Sequence, residues 1–278
     1  MTLVSGLPSR ERYRRRIMVV EVREAFFDGS TQDGRVLIVA GYMADTDTWL
    51  RFSDAWQEKI DTLDNGRPFK MSRASKTAKG MRRAQQHYRL IQDFGLVGVG
   101  CAVPIEPLRR LVVEYGLDPR MANPYFTAWR MAISAAITCV KSDKSNAKIQ
   151  FCFDEQTEKV LILKAWDLFH ANAPAQYRRH IARDISFKPD DDVMPLQAAD
   201  LFAGLARMQY VKDPSAMAEL APKEWNARSP NVLFTRINET GLRRLFEAEV
   251  HQGATKGTTV DSFRFSTADE PYAHWPKP

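Results

Sequence analysis

The sequence predicts an α/β fold: a mixed five-stranded sheet, with an antiparallel meander followed by parallel crossovers, flanked by helices. Three observations carry that expectation. Two runs of β-formers joined through Asp33-Gly34 open the chain as a hairpin. Further strand-like runs then alternate with helical periodicity, which is the pattern of crossover units. The 278 residues are 44% hydrophobic and 27% charged, the balance of a chain that buries a core.

Met1 to Arg16 is basic and has no periodicity, so residues 1–17 are expected to form a flexible arm. Met18 to Asp28, β-branched and aromatic, reads as the first strand, closed by Asp28-Gly29-Ser30. Arg35 to Met43 gives the second. Trp49, Phe52, Trp56, Ile60 and Leu63 recur at helical spacing, so a helix over 47–63 packs an aromatic stripe into the core. Asn65-Gly66-Arg67-Pro68 interrupts the chain. Met81, Ala84, Tyr88 and Ile91 mark another helix, whose other face carries Lys79, Arg82, Arg83 and Arg89.

Gly95 to Val103 is the third strand, and a short helix with a loop follows to Met121. Asn123-Pro124 supplies an N-cap and a first-turn proline for a helix bearing Phe126, Trp129, Ile133 and Ile137 on one face. Ile149 to Asp154 is the fourth strand, and residues 155–172 the helix after it. Ile181 to Lys188 is the fifth strand. Pro195 opens a helix over about 196–210, which ends the domain expected at 18–212. Residues 213–278 read as a helical extension, with a helix over 238–251, and a tail. Right-handed crossovers place the fourth strand beside the first and parallel to it.

The net charge of +6 is unevenly distributed. Residues 1–20 carry +4 and residues 67–92 carry +8 with no acid among them, so the rest of the chain is at −6. Basic blocks on an acidic remainder point to an anionic partner, nucleic acid first. Lys70, Arg73, Lys76, Lys79, Arg82 and Arg83 are the candidate phosphate contacts, mostly blind to base sequence. No apolar run approaches the length of a membrane span, and no apolar segment follows the N-terminal charges as in a signal peptide. Cys101, Cys139 and Cys152 form no CxxC and read as buried hydrophobes of a reducing compartment, so a cytoplasmic location is expected. The scattered histidines offer no zinc spacing.

Function enters through the acids. Asp28 ends the first strand, and Asp154 and Glu155 end the fourth. If those strands are parallel neighbours, the carboxylates meet at the sheet end where α/β proteins bind ligands. Asp200 sits in Ala-Ala-Asp-Leu-Phe-Ala, a costly place for a charge unless it is paired or on a metal. Clustered carboxylates repel, and a hard divalent cation resolves the repulsion; oxygen ligands alone suit Mg²⁺ or Mn²⁺. Strand alternation sends Asp154 and Glu155 to opposite sides, so Asp154 is the preferred ligand and Glu155 the reserve. Ser30, Gln197 and Asp192 are expected behind the ligands, with Gln197 one helical turn before Asp200 and orienting a ligand or phosphate.

FFDGS with its hairpin, FCFDE and PLQAADLFAG together resemble the bacterial and phage family known as domain of unknown function 3800. The resemblance spans roughly residues 18–210 and is most specific at the last motif. It implies a ribonuclease H-like fold with Asp28, Asp154 and Asp200 as metal ligands. The first motif departs from the family form, because Gly29 stands where an acid is common.

The expectation is therefore a metal-dependent nuclease that hydrolyses phosphodiester bonds, with Asp28, Asp154, Glu155 and Asp200 as its catalytic carboxylates. The alternative is a non-catalytic nucleic-acid-binding or partner-binding module on the same fold. An ATPase reading ranks last, because no Gly-rich phosphate loop is present. DNA, RNA or hybrid preference, a protein partner and homo-oligomer formation stay open.

Overall fold

A computed structural model describes residues 21–32, 34–143, 145–212, 225 and 232–251. The basic arm, the first residues of the expected opening strand, Asp33 of the hairpin turn, most of 213–231 and the C-terminal tail lie outside the described residues.

The protein is α/β with a mixed sheet of six strands in the order β5-β4-β1-β2-β3-β6. β1 (Val22–Gln32), β2 (Val36–Asp45) and β3 (Val97–Pro104) form the expected antiparallel meander. β4 (Lys148–Asp154) lies parallel to β1, with Phe27 beside Phe153, and β5 (Ile181–Lys188) lies parallel to β4. The strand count differs from the expected five: β6 (Val232–Arg236) adds to the free edge of β3, in parallel. Its run Val-Leu-Phe-Thr is short, and only pairing across the sheet declares it a strand. The segment expected as a separate extension therefore contributes to the same sheet.

Helices cover both faces. On one face lie α1 (Thr46–Leu63), the short α2 (Met71–Ala74) and α3 (Ala78–Asp93). There the aromatic stripe Trp49, Phe52, Trp56 and Ile60 is buried against Phe26, Ile38 and Tyr42. On the other lie α4 (Ile105–Glu114), α5 (Pro124–Ser142) and α6 (Lys159–Asn172), where Trp129, Trp166 and Phe169 pack under Phe27, Phe151 and Phe153. Each such fully buried side chain contributes roughly 1.5–3 kcal/mol. A single turn, α7 (Ala175–Arg178), leads into β5. α8 (Met194–Lys212) crosses β1 and β2 on the first face, with Phe202 stacked on Tyr42 at 4.9 Å. α9 (Glu239–His251) returns to the second face and buries Leu242 and Phe246.

Two boundaries move in ways that matter for the site. β1 runs four residues past Asp28, because its ladder with β2 continues to Gln32 opposite Val36. Asp28 is thus inside β1, and it is β4 that ends beside it. α6 starts at Lys159 rather than 155, which leaves residues 155–158 as a loop over the end of β4. Among the described residues, no helix is long and apolar enough to cross a membrane.

Candidate functional site

Strand alternation puts Phe26 and Asp28 of β1 on the face of the sheet that α8 covers, as it does Cys152 and Asp154 of β4. Because Phe27 pairs with Phe153, the next residues, Asp28 and Asp154, stand side by side where β4 ends. Asp200 comes to the same place from α8. Gly204, one turn further on, allows this approach: a Cβ there would lie 2.4 Å from Cγ of Met71. Met71 therefore packs on α8, and its backbone N–H donates to Asp200 Oδ2 at 2.6 Å.

The turn after β5 adds a fourth acid that was not singled out. Asp190, buried at the start of the 3₁₀ turn Asp190–Asp192, donates its backbone N–H to Asp154 Oδ1 at 3.1 Å. Its own carboxylate binds Lys70, which also reaches Asp191 at 3.2 Å. Parallel pairing of β5 with β4 places it there. The sequence signal was the position directly after a strand parallel to the one ending in Asp154, not the acidic run as such.

These acids act on one another. Burial raises the Asp28 carboxyl well above the usual carboxylate range, and the charges of Asp200, Asp154 and Asp190 raise it further, against one lowering contact from the Gly29 N–H at 2.6 Å. Burial also pushes Asp200 up to about 6; the Met71 N–H and Lys70 oppose the shift, while Asp190 and Asp154 add to it. Asp154 is raised as well, by burial first and then by Asp190. The site therefore holds several carboxylates that cannot all ionise freely, with Lys70 beside them.

Among the described residues, no three His, Cys, Asp or Glu side chains are arranged to hold a metal ion. Asp28, Asp154 and Asp200 each accept a backbone N–H instead. In donor chemistry the set fits a hard divalent cation: it is all oxygen, buried at Asp28 and half-buried at Asp154 and Asp200, and destabilised by its own charge. In arrangement it is not a closed ligand set.

The remaining candidates divide. Glu155 is exposed and paired to Lys159 at 2.6 Å, so it stands apart from the buried carboxylates and Asp154 is the member that joins them. The loop at 155–158 turns Glu155 outward as soon as the strand stops. Asp192 is exposed, and Asp190 takes the inner position expected of it. Ser30 is half-buried, two residues beyond Asp28 along β1.

Gln197 is fully buried, and its amide is used up within the protein. Its Oε1 accepts from Trp56 Nε1 at 3.1 Å and from the Phe69 N–H at 2.9 Å, and its Nε2 donates to the Asp190 carbonyl at 3.1 Å. It fastens the Asp190 turn and the segment before α2 to the core, and has no capacity left to orient a phosphate.

The six basic candidates divide too. Lys70 is engaged by Asp190 and Asp191, and Arg83 by Asp64 at 2.7 Å. Arg73 donates to the Pro68 carbonyl. Lys76, Lys79 and Arg82 are exposed.

Gly29 points to the opposite face. A Cβ there would meet Gln156 Nε2 at 2.9 Å and Tyr125 Cε2 at 3.2 Å, so an acid at this position would face away from Asp154 and Asp200. On that side lies a cavity of about 630 Å³ lined by Gly29, Thr31, Arg109, Asn123, Tyr125 and Gln156, among others. The Tyr125 hydroxyl is buried without a hydrogen-bond partner among the described residues. Burial raises it well above the usual phenol range, and Asp28, Glu158 and Asp154 add to the shift. In the sequence, residue 125 carries only the signal of a helix start.

No known protein-family model matches the chain, and no curated protein is significantly similar to it. The fold and site define it as an α/β protein with a six-stranded mixed sheet and an acidic centre at the end of β4.

Proposed function

We propose that the protein is a divalent-metal-dependent nuclease of ribonuclease H-like fold. The observation that carries the reading is the convergence of Asp28, Asp154 and Asp200, brought from β1, β4 and α8 to one place where burial and neighbouring carboxylates hold all three above the usual carboxylate range. The meander of β1–β3, with β4 and β5 added in parallel beyond β1, supports the fold half of the proposal. So does the resemblance of the three acidic motifs to the family named above.

Asp28, Asp154 and Asp200 would hold Mg²⁺ or Mn²⁺. When bound, the ion supplies an activated water and neutralises charge at a phosphodiester. The protein's own groups do the rest. The Gly29, Asp190 and Met71 N–H groups orient one oxygen of each carboxylate. Gln197 anchors the turn that presents the Asp190 N–H. Lys70 holds Asp190 and Asp191, and its charge opposes the rise at Asp154 and Asp200 that Asp190 adds to. Exposed Lys76, Lys79 and Arg82 offer salt-sensitive contacts to backbone phosphates.

The test is cleavage of single-stranded, duplex and hybrid substrates with Mg²⁺ or Mn²⁺, in the wild type and in Asp200→Asn. Unchanged cleavage by the variant sinks the assignment. A second reading, a non-catalytic nucleic-acid-binding module, is favoured by the absence of a closed metal-ligand set among the described residues. It expects salt-sensitive binding without metal-dependent turnover.

A further inference from the structure

A small cavity of about 130 Å³ lies beside the acidic centre, lined by Asp64, Arg67, Phe69, Lys70, Arg73 and Arg83 together with Ala74. Pockets for small organic ligands run to roughly 300–1,000 Å³, so this one is the size of an inorganic anion. Its charge fits the same description. Asp64 is the one acid of the lining, and its carboxylate is already shared: Oδ1 accepts from Arg83 at 2.7 Å, and Oδ2 meets His87 Nε2 at 3.0 Å. His87 is fully buried between Trp56 and Phe69, which fixes Asp64 from behind. Lys70 is engaged by Asp190 and Asp191.

That leaves Arg67 with no ion pair among the described residues, and Arg73 bound only to the Pro68 carbonyl. Guanidinium groups gathered around a small space, with unused donors, are a receptor for a tetrahedral oxyanion, whose oxygens match their forked geometry.

We infer that this cavity binds the terminal phosphomonoester of a nucleic-acid strand. The inference rests on the nucleic-acid half of the reading above and names its substrate class. A phosphomonoester carries close to two charges at neutral pH and three free oxygens, so it suits this lining better than the single charge of a diester within the strand. The cavity shares a wall with the acidic centre: Lys70 lines the cavity and binds Asp190, and the next residue, Met71, binds Asp200. A strand held by its end there has its adjoining phosphodiesters next to the carboxylates.

The experiment measures binding of oligonucleotides of one sequence that carry a 5′-phosphate, a 3′-phosphate or hydroxyls at both ends. It is done in EDTA, so that neither metal nor turnover contributes. One phosphorylated end is expected to bind about tenfold or more tightly than the hydroxyl oligonucleotide, the effect of one or two charge-assisted hydrogen bonds. Inorganic phosphate should compete that advantage away. Arg67→Gln, and independently Arg73→Gln, should erase it, and both sites are exposed enough for the variants to fold.

Equal affinity for all three oligonucleotides, an advantage that survives both substitutions, or no binding at all overturns the inference. Its failure is separable from that of the nuclease reading. Phosphate-end preference without cleavage in Mg²⁺ or Mn²⁺ removes the nuclease alone; cleavage without preference removes the cavity's role alone.

Discussion

Two regions of opposite charge sit next to each other, and they are built differently. In the acidic centre, Asp28, Asp154 and Asp200 are oriented by backbone N–H groups, with Lys70 as a compensating cation. In the basic pocket, Asp64 ties Arg83 to the core while Arg67 and Arg73 have no carboxylate partner among the described residues. The acidic centre holds buried like charge that a folded protein would discard if stability alone mattered, and the pocket gathers exposed cations without pairing them. Such surplus charge is expected where a ligand of opposite sign completes the structure, a cation in one region and an anion in the other.

The strongest way to break this comparison is Asp200→Asn. The change keeps an acceptor for the Met71 N–H and removes the charge. Metal-dependent cleavage is expected to fall at least about 100-fold, as for loss of a metal ligand. Stability of the metal-free protein is expected to rise by roughly 2–3 kcal/mol near neutral pH, since the carboxyl titrates at about 6 in the folded state. Calorimetry and a cleavage assay on the same preparation check both signs. A variant that is both inactive and less stable identifies Asp200 as a structural cap for α2 instead.

Lys70→Met tests the link between the two regions. It leaves Asp190, nearly buried, without its cation, and it takes one positive charge from the basic pocket. The expected cost is roughly 1–3 kcal/mol, the penalty for an orphaned and largely buried charge. The Asp190 turn also holds Asp154, so cleavage should fall too. A loss of nucleic-acid affinity with unchanged stability would show that Lys70 acts on the ligand and not on Asp190.

pH sharpens the comparison further. Folded-state values for Asp28, Asp154 and Asp200 are raised above those of the unfolded chain. The folded protein therefore binds more protons than the unfolded chain from about pH 4 upward, and each group destabilises it as pH rises until its folded-state value is passed, at about 6 for Asp200. Unfolding of the metal-free protein by denaturant should show their contribution improving as pH falls from 7 toward 5. Added Mg²⁺ or Mn²⁺ should stabilise strongly at pH 8 and little at pH 5, because protons compete for the same oxygens. Equal stabilisation at both values points to binding elsewhere.

Much of this was legible in the chain itself, for identifiable reasons. The hairpin turn, the alternating strands and the aromatic stripe of α1 are local patterns, and they placed β1 to β5 and brought Asp28, Asp154 and Asp200 together. β6 was missed because five residues cannot show which strand they will pair with. Asp190 was passed over for Asp192, because in a run of three aspartates only the backbone path decides which side chain turns inward. Gln197 was placed beside Asp200 and given to a ligand, but its partners Trp56 and Phe69 are far away in sequence and nothing local announces them. Lys70 and Arg83 read as free charge within a basic block for the same reason: Asp190 and Asp64 are distant along the chain.

The smallest expected effect concerns the neighbouring acids at the end of β4. Glu155→Gln removes an exposed pair with Lys159, worth at most about 0.5 kcal/mol at such a site. Cleavage should stay within about twofold of wild type, since Glu155 is exposed and pairs with Lys159 outside the acidic centre. Asp154→Asn, one residue earlier, should behave like Asp200→Asn, with activity lost and the metal-free fold no weaker. The pair separates position from composition: both residues are acids at the same strand end, and only the side toward α8 meets the other buried carboxylates. If Glu155→Gln lowers cleavage as much as Asp154→Asn does, the loop at 155–158 must turn inward when substrate binds, and the acidic centre gains a fifth member.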